Sequence, residues 1–456
     1  MDTPTASLKP IPRIRERPLV GSLGEYGKDR LGLLLRIARE CPDLGALHLG
    51  PMRLLLVTSA RLYNSLLTTH AEAFHHGKLV HSLEPLMGPH SLILTHGEPH
   101  RQQRKLMAPV FQPRRVAELA PVMVRDTVEA VAGWGEGASL DLREEMMLLT
   151  MRIVGHTLFG VDFLHEARDL GEAIQVALDH ATHVSSNPVT FPLSWPTPRN
   201  VRTRRALATI HQRLQALIDE RRREGASGGN LLSMMLAHRD ESGQGLSDAQ
   251  LRDHSVTLFA AGHETTALLL SWTWLLLMRH PEHYAAVQRE VDEVLGDREP
   301  TLEDLPRLGF TLQVIKEALR LYPPGYLQGR APLHDVVVDG FSLRKDEMIL
   351  LSNYVLHRDA EVFPEPERFL PERFLPEAEK QRPRTAYMPF GIGPHTCIGN
   401  HFTLMEAHLL VAVMAQRVRF ELLPGQEVRP VAGLTLGPSP YRVRVHQRQA
   451  AARLAE

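Results

Sequence analysis

A single apolar segment, residues 256–278, constrains the fold of this chain more than any other feature. It lies within a predicted helix of about thirty residues, long enough to cross a whole domain at about 1.5 Å per residue. Ser247 and Gln250 fit a capping box at its start, and His280 followed by Pro281 marks its end. Because nearly every face of this helix is apolar, we expect it to be buried at the centre of a large core.

Polar residues inside this segment argue against a membrane span. His263 and Glu264 lie within it, and an ionisable side chain is costly at the centre of a bilayer. Residues 1–18 carry charges and prolines without an apolar run, which argues against a signal peptide or a membrane anchor. The two cysteines, Cys41 and Cys397, exclude a disulfide framework and favour a reducing compartment. We therefore expect a cytoplasmic protein.

Composition and chain organisation predict one domain. The 456 residues are 43% hydrophobic and carry a formal net charge of −1, so electrostatics give no reason to expect a nucleic-acid partner. No repeat or Gly/Ser linker divides the chain, so we expect a single domain over residues 1–456. Short strand-like runs occupy about 40–60 and 330–450, and a helix-rich region extends from about 98 to 322. The predicted fold class is mainly α with a smaller β-rich portion, which includes a hairpin around Asp339 and Gly340.

A glycine-punctuated loop surrounds Cys397. Gly391, Gly393 and Gly399 allow backbone amides to approach the sulfur, and an apolar helix is predicted over residues 400–416. A cysteine at a helix N-terminus is expected to have a lowered thiol pKa, and a thiolate binds a soft metal centre such as haem iron. A buried cysteine after a turn is the alternative, and this loop alone does not decide between the two. A zinc site is poorly supported, because no other ligand stands at a suitable spacing.

The central helix carries a second motif, which runs from Ala261 to Thr266. Gly262 leaves room for a flat ligand, and the Thr265 hydroxyl is placed to bond the carbonyl of Ala261. The Glu264 carboxyl requires a partner, water or a function in such apolar surroundings. An acid beside an alcohol, with water between them, makes a proton relay. The alternative is two buried threonines and a glutamate that faces a polar partner.

Two further motifs predict a structural ion-pair network. Glu317 and Arg320 are three residues apart, so they share one helix face and can pair. Arg373, in the sequence Pro-Glu-Arg-Phe, could complete a buried Glu–Arg–Arg network. Such a network would stabilise the fold and take no part in chemistry.

Taken in order, these four motifs resemble those of the cytochrome P450 family of haem-thiolate monooxygenases. The resemblance covers nearly the whole chain, and the cysteine loop is its most specific part. It implies the fold of that family, with the long central helix over the haem and the cysteine loop beneath it. No segment remains for a fused reductase.

The resemblance also implies roles for individual residues. Cys397 resembles the axial thiolate on the iron of haem b (iron protoporphyrin IX), and Glu264 and Thr265 resemble the pair that supplies protons during dioxygen activation. His395 stands where many members have arginine, and His100 where many have tryptophan. The implied cofactor-binding residues are His100, Arg104, Ala261, Gly262, Arg330, Phe390, Gly391, His395 and Gly399.

The implied reaction is hydroxylation or epoxidation of a lipophilic small molecule with dioxygen. A fatty acid, terpenoid, steroid or polyketide would suit the apolar stretches that the resemblance places at the substrate: 71–94, 176–195, 325–328 and 434–436. The side chains expected to contact it are His75, Leu79, Val80, Leu83, Leu86, Met87, Phe191, Leu193 and Leu436.

Electrons are expected from a separate ferredoxin or flavodoxin with its reductase. A basic group could receive such a donor, although a solvated surface is an equal interpretation; its members are Arg101, Arg104, Lys105, Arg114 and Arg115. Two other functions stay open. A peroxygenase would use hydrogen peroxide instead of dioxygen and tends to lack the acid–alcohol pair, and a non-catalytic haem-binding protein would not need that pair.

Overall fold

The computed structural model describes residues 8–77, 80–163, 165, 168–186, 190–224, 229–239 and 243–448. Its α-helices, in chain order, are α1 (Leu23–Lys28), α2 (Arg30–Glu40), α3 (Ala60–Asn64), α4 (Glu84–Met87), α5 (Gly97–Met107), α6 (Pro113–Ala117), α7 (Ala120–Ala132), α8 (Leu142–Val154), α9 (Arg168–Ser186), α10 (Pro198–Glu224), α11 (Leu231–Ala237), α12 (Asp248–Arg279), α13 (Pro281–Leu295), α14 (Gly309–Leu321), α15 (Asn353–Leu356), α16 (Pro376–Gln381) and α17 (Asn400–Arg417).

The strands form small sheets at the side of this helical body. They are β1 (Leu44–Leu49), β2 (Met52–Val57), β3 (Phe74–His75), β4 (Ser139–Asp141), β5 (Gln328–Pro332), β6 (Val336–Val338), β7 (Phe341–Leu343), β8 (Met348–Leu351), β9 (Val418–Leu422), β10 (Pro430–Ala432), β11 (Leu436–Pro438) and β12 (Arg442–Gln447). One sheet has the order β1-β2-β8-β5-β3, with β2 and β8 parallel, and another has the order β4-β12-β9. The pairs β6–β7 and β10–β11 are antiparallel hairpins.

Helix α12 is the 32-residue central helix that the sequence predicts. Its capping box forms: the Ser247 side chain accepts from the amide of Gln250, and the Gln250 side chain accepts from the amide of Ser247. The helix ends at Arg279, with His280 as its C-cap and Pro281 opening α13. It packs against α8, α14 and α17, so it runs through the main hydrophobic core.

The observed architecture confirms the predicted fold class. Most elements are helices, and the five-stranded sheet joins β1, β2 and β3 near the N-terminus to β5 and β8 after the helix-rich region. Two strands were missed: β3 lies between the predicted ranges and pairs with β5, and β4 lies inside the helix-rich region and pairs with β12 near the C-terminus. Strands of two or three residues are too short to show a period-two pattern, so tertiary pairing alone defines them. Within the described part of the chain, no helix is long and apolar enough to cross a membrane.

A buried ion-pair network fixes α14 to the segment that follows it. The Arg320 guanidinium donates to both carboxylate oxygens of Glu317, at 2.7 and 2.8 Å, and both side chains are fully buried. Arg373 Nε lies 3.4 Å from Glu317 Oε1. Arg320 also donates to the carbonyls of His357 and Pro366. The structure thus brings together the three side chains that the sequence grouped, with Glu317 and Arg320 fully buried and Arg373 10% exposed.

Candidate active site

Glycine backbone conformations define the loop before α17. Gly391 and Gly393 have φ angles of +71° and +74°, which an L side chain rarely adopts. A Cβ atom at Gly393 would overlap the carbonyl oxygen of Leu67, so only glycine fits at this contact. The amide of Cys397 donates to the carbonyl of Phe390 at 2.9 Å, which closes the loop and directs the cysteine to one side.

The Cys397 sulfur faces an internal cavity and not bulk solvent. Its side chain has a large accessible surface, yet the surrounding protein desolvates it, and this burial raises the pKa of the thiol. A hydrogen bond from the Gly399 amide and the charge of Arg104 oppose the shift. The prediction of a lowered pKa is therefore wrong, because desolvation outweighs the helix end, which begins only at Asn400. A thiol in such surroundings becomes a stable thiolate when a metal cation binds it.

Two cavities, of about 350 and 370 Å³, meet at Cys397. Both are lined by Ala261, His395 and Ile398 as well as by the cysteine. The smaller, here called the arginine cavity, is also lined by His100, Arg104 and Arg330; the larger, here called the helix cavity, is also lined by Gly262, Thr265, Phe390, Gly391 and Gly399. Every residue that the sequence assigned to cofactor binding therefore lines one cavity or both.

The space between α12 and the cysteine loop suits a flat macrocycle. A Cβ atom at Gly262 would meet only Val154 Cγ2, at 3.5 Å, so this helix face is open. Among the described residues, no group of three or more His, Cys, Asp or Glu side chains could hold a metal ion. A metal at Cys397 would accordingly need further ligands from a bound group, as a porphyrin provides. The residues present fit a thiolate-ligated haem.

Two arginines give one wall of the arginine cavity a positive charge. Arg104 Nη1 donates to the carbonyl of Thr396 at 2.7 Å, and Arg330 Nη1 donates to that of Gly329 at 2.8 Å. Arg330 is 5% exposed, and its burial lowers the pKa of the guanidinium to about 10. In the part of the chain that the structure describes, neither arginine forms an ion pair with a carboxylate. A buried cation without a counter-ion is unfavourable, so this wall favours an anionic group such as a propionate.

Three histidines extend this wall. His76 Nε2 lies 3.2 Å from His395 Nδ1, and the rings of His100 and His395 are 3.9 Å apart. Burial is the main cause that lowers the pKa of His100 to about 4 and that of His395 to about 3, so both are neutral at pH 7. His76, which also contacts Arg330 Nη1 at 3.0 Å, was not identified as a cofactor residue. The sequence indicates a role for His76 only through its position next to His75, within the stretch predicted to contact the substrate.

The acid and the alcohol of the central helix make separate contacts. Thr265 Oγ1 donates to the carbonyl of Ala261 at 2.6 Å, as the sequence predicts, and Thr265 lines the helix cavity. Glu264 lines neither cavity; its Oε1 accepts a hydrogen bond of 2.9 Å from the Thr435 hydroxyl, and burial raises its pKa. Thr435 lies in the turn between β10 and β11. The structure therefore gives Glu264 the polar partner that the alternative interpretation required.

The predicted substrate stretches contribute unequally to the cavity walls. Val80, Leu83, residues 325–328 and Leu434 line them, together with Leu92 and Ile93. Other predicted contacts lie elsewhere: Leu86, Met87 and Leu436 are buried in the core, and Phe191 is exposed and stacked on Trp195. No described residue of the stretch 176–195 lines either cavity, and Leu79 lies outside the described residues.

The cytochrome P450 family model matches residues 11–445 of this chain. The chain is 39% identical to cyclooctat-9-en-7-ol 5-monooxygenase of Streptomyces melanosporofaciens, over 84% of this chain and 83% of that protein. It is 33% identical to pentalenene oxygenase of Streptomyces avermitilis, over 94% of this chain and 96% of that protein. The crystal structure of the cytochrome P450DA heme domain superposes with a TM-score of 0.88 at 27% identity, covering 98% of this chain and 99% of that one. On this evidence the chain belongs to the cytochrome P450 family.

Proposed function

We propose that this enzyme uses haem b and dioxygen to hydroxylate or epoxidise a terpenoid. Family membership gives the chain a haem-thiolate cofactor and monooxygenase activity. The observation that carries the proposal is the Cys397 sulfur, which faces a cavity space bounded by the small residues of α12 and by two unpaired arginines. The terpenoid class rests on the relatives named for cyclooctat-9-en-7-ol and pentalenene, and on the mainly apolar cavity walls.

Each cavity wall has a role in this proposal. Cys397 would bind the iron from one face, and Ala261 and Gly262 would lie over the other. Arg104 and Arg330 would hold the propionates, and neutral His100 and His395 would donate hydrogen bonds to them. Haem, when bound, supplies the oxidising chemistry, which a thiolate ligand promotes.

Thr265 and Glu264 would supply protons to the reaction. The Thr265 hydroxyl lies at the cavity surface, so it can pass on a proton while its oxygen stays close to the Ala261 carbonyl. The Glu264 carboxyl would rotate away from Thr435 and give a proton back to the Thr265 hydroxyl. Because burial raises the pKa of Glu264, this carboxyl keeps its proton to a higher pH than an exposed glutamate does.

Spectra and turnover test the two halves of the proposal separately. The purified holoprotein should give the carbon monoxide spectrum of a thiolate-ligated haem, and Cys397→Ser should abolish it. Cys41→Ser, which changes the buried cysteine outside the cavities, is the matched control. With a ferredoxin and its reductase, the wild type should then oxidise members of a terpenoid library. A spectrum like that of a histidine-ligated globin would overturn the cofactor assignment, and oxidation only of other lipid classes would overturn the substrate class.

Delivery of electrons by a separate ferredoxin or flavodoxin remains part of this proposal. The predicted basic group gives limited support to docking of such a donor, because exposed Arg101 already forms ion pairs with Glu98 and Glu72, at 2.8 and 2.5 Å. Reversing the charge of Arg114, which forms no ion pair with any of the described residues, should slow reduction at low salt if this face receives the donor. Product formed with hydrogen peroxide alone, and none with reductase, would favour the peroxygenase alternative.

A further inference from the structure

The arginine cavity continues from Cys397 to a polar mouth. This mouth is formed by Tyr26 and Arg30 from the N-terminal helices, by Tyr326, and by Gly433 and Leu434 from the turn between β10 and β11. Besides the wall of arginines and histidines described above, the rest of the lining has an aliphatic part, formed by Val80, Leu83, Leu92, Ile93, Leu258 and Leu327. With Arg104 and Arg330 occupied by the propionates, a substrate in this cavity would contact Arg30 at the mouth and the aliphatic part of the lining beyond it.

Arg30 has only neutral partners at the mouth. Its Nη1 donates to the Tyr326 hydroxyl at 2.9 Å and to the carbonyl of Gly433 at 3.3 Å. The ring of Tyr26 lies 4.4 Å from its Cζ. Its Nη2 has no hydrogen-bond partner among the described residues, its Nε is buried without an acceptor, and no carboxylate of those residues pairs with the guanidinium. Arg30 thus keeps donor capacity and an uncompensated charge beside the ligand space.

An arginine held in this way favours an oxygen acceptor over a hydrocarbon. A hydrocarbon that filled the mouth would displace water from the guanidinium and give no hydrogen bond in return. A hydroxyl or carboxylate oxygen would satisfy the free donors, and a hydrogen bond to a charged group is among the stronger ones in proteins. The fixed hydrogen bonds of Nη1 to Tyr326 and Gly433 orient the guanidinium before a ligand arrives.

We propose that Arg30 binds an oxygen atom that the lipophilic substrate already carries, so that the substrate is an alcohol or a carboxylic acid. The oxygen lies at the mouth, and the opposite end of the molecule extends toward Ala261, on the face of the haem site that lies away from Cys397. The reaction that supplies this substrate must then introduce oxygen: an earlier hydroxylation or capture of water during ring formation gives the alcohol, and further oxidation of a primary alcohol by a separate oxidising enzyme gives the carboxylic acid. This inference rests on the proposed function and narrows its substrate class.

Binding of matched ligands to the holoprotein tests the inference. The probes are a terpene hydrocarbon, the alcohol and the carboxylic acid of the same skeleton, with Kd taken from the change in the visible spectrum. Wild type should bind the alcohol or the acid about 10- to 100-fold more tightly than the hydrocarbon. Arg30→Met should remove this preference and leave the Kd of the hydrocarbon unchanged or lower. Arg39→Met is the control, because Arg39 is an exposed arginine on the same helix.

Arg30→Lys distinguishes loss of the ligand contact from misfolding. It keeps a positive charge at this position, so it should retain part of the preference for the oxygen-containing probes. A stronger effect on the acid than on the alcohol identifies a carboxylate ligand, and the reverse identifies a hydroxyl. Equal affinities of wild type for all three probes, or a preference that survives in Arg30→Met, would overturn the inference. The same comparison with an alkane, a fatty alcohol and a fatty acid separates failure of the terpenoid class from failure of the Arg30 preference.

Discussion

Glu406 makes the stability of this protein dependent on pH in a way that one substitution can isolate. The side chain lies on α17, is fully buried, and neither carboxyl oxygen has a hydrogen-bond partner among the described residues. Burial raises its pKa from 4.5 to about 8; the neighbouring Thr266 hydroxyl acts in the opposite direction, but it donates its hydrogen bond to the carbonyl of Gly262. The carboxyl is therefore protonated in the folded protein at pH 7.

The sign of the effect follows from proton binding. Below pH 4.5 the folded and unfolded states both hold the proton, whereas between pH 4.5 and 8 only the folded state holds it. The stabilising contribution is present at low pH and is lost as the pH rises through 8. The free energy of unfolding of wild type falls by about 1.4 kcal/mol per pH unit in this window, or about 4 kcal/mol between pH 5 and 8.

Glu406→Gln keeps the shape of the side chain and removes its titration. We expect the variant to gain stability relative to wild type as the pH rises, by about 4 kcal/mol from pH 5 to 8. Urea denaturation of both holoproteins, followed by circular dichroism at pH 5, 6.5 and 8, measures this difference. Glu377→Gln, at an exposed carboxylate on α16, controls for general changes of charge. A stability difference that is the same at all three pH values would refute the reasoning.

Three further substitutions probe the site and its support. Gly393→Ala should destabilise the protein by more than about 2 kcal/mol in urea denaturation, because the new Cβ overlaps a carbonyl oxygen and φ is +74°. Thr265→Ala should divert reducing equivalents into hydrogen peroxide without a change in substrate Kd. Thr273→Ala removes the same kind of intrahelical hydrogen bond outside the cavities and should not increase peroxide formation. Arg373→Met leaves Glu317 with one cationic partner and should lower the free energy of unfolding by about 3 kcal/mol.

Two control variants sharpen these comparisons. Gly135→Ala adds a Cβ atom where nothing lies within 4 Å, so it should change stability by less than about 0.5 kcal/mol. Arg368→Met removes an exposed ion pair with Glu365 and should leave the free energy of unfolding nearly unchanged. Equal losses for Arg368→Met and Arg373→Met would contradict the structural role of the buried network, and normal coupling in Thr265→Ala would remove that residue from the proton supply.

Local interactions explain which features the sequence could predict. The capping box joins residues three apart, and the hairpin at Asp339 and Gly340 needs only neighbouring residues, so both are visible as short patterns. The cysteine loop is recognisable for the same reason. The partner of Glu264 could not be predicted in this way, because Thr435 is 171 positions away and meets it only in the folded protein.

The electrostatic state of the site depends on the same long-range packing. The raised pKa of Cys397 results from desolvation by surrounding elements, which no local motif records. His76 joins His395 across 319 positions, and Arg30 reaches Tyr326 across 296. A cationic mouth and a histidine-lined wall therefore become visible only once the chain ends are brought together.

The fit of Gly393 against the Leu67 carbonyl has a consequence for biosynthesis. The cysteine loop packs against the segment around Leu67, which leaves the ribosome much earlier. Arg104, which is also synthesised early, donates a hydrogen bond to the carbonyl of Thr396 in the same loop. A nascent chain that stops before residue 397 has the arginines and the helical wall but lacks the iron ligand. Tight capture of haem must therefore wait until Cys397 has been synthesised, and a shortage of haem would affect chains that have passed this residue and not shorter nascent chains.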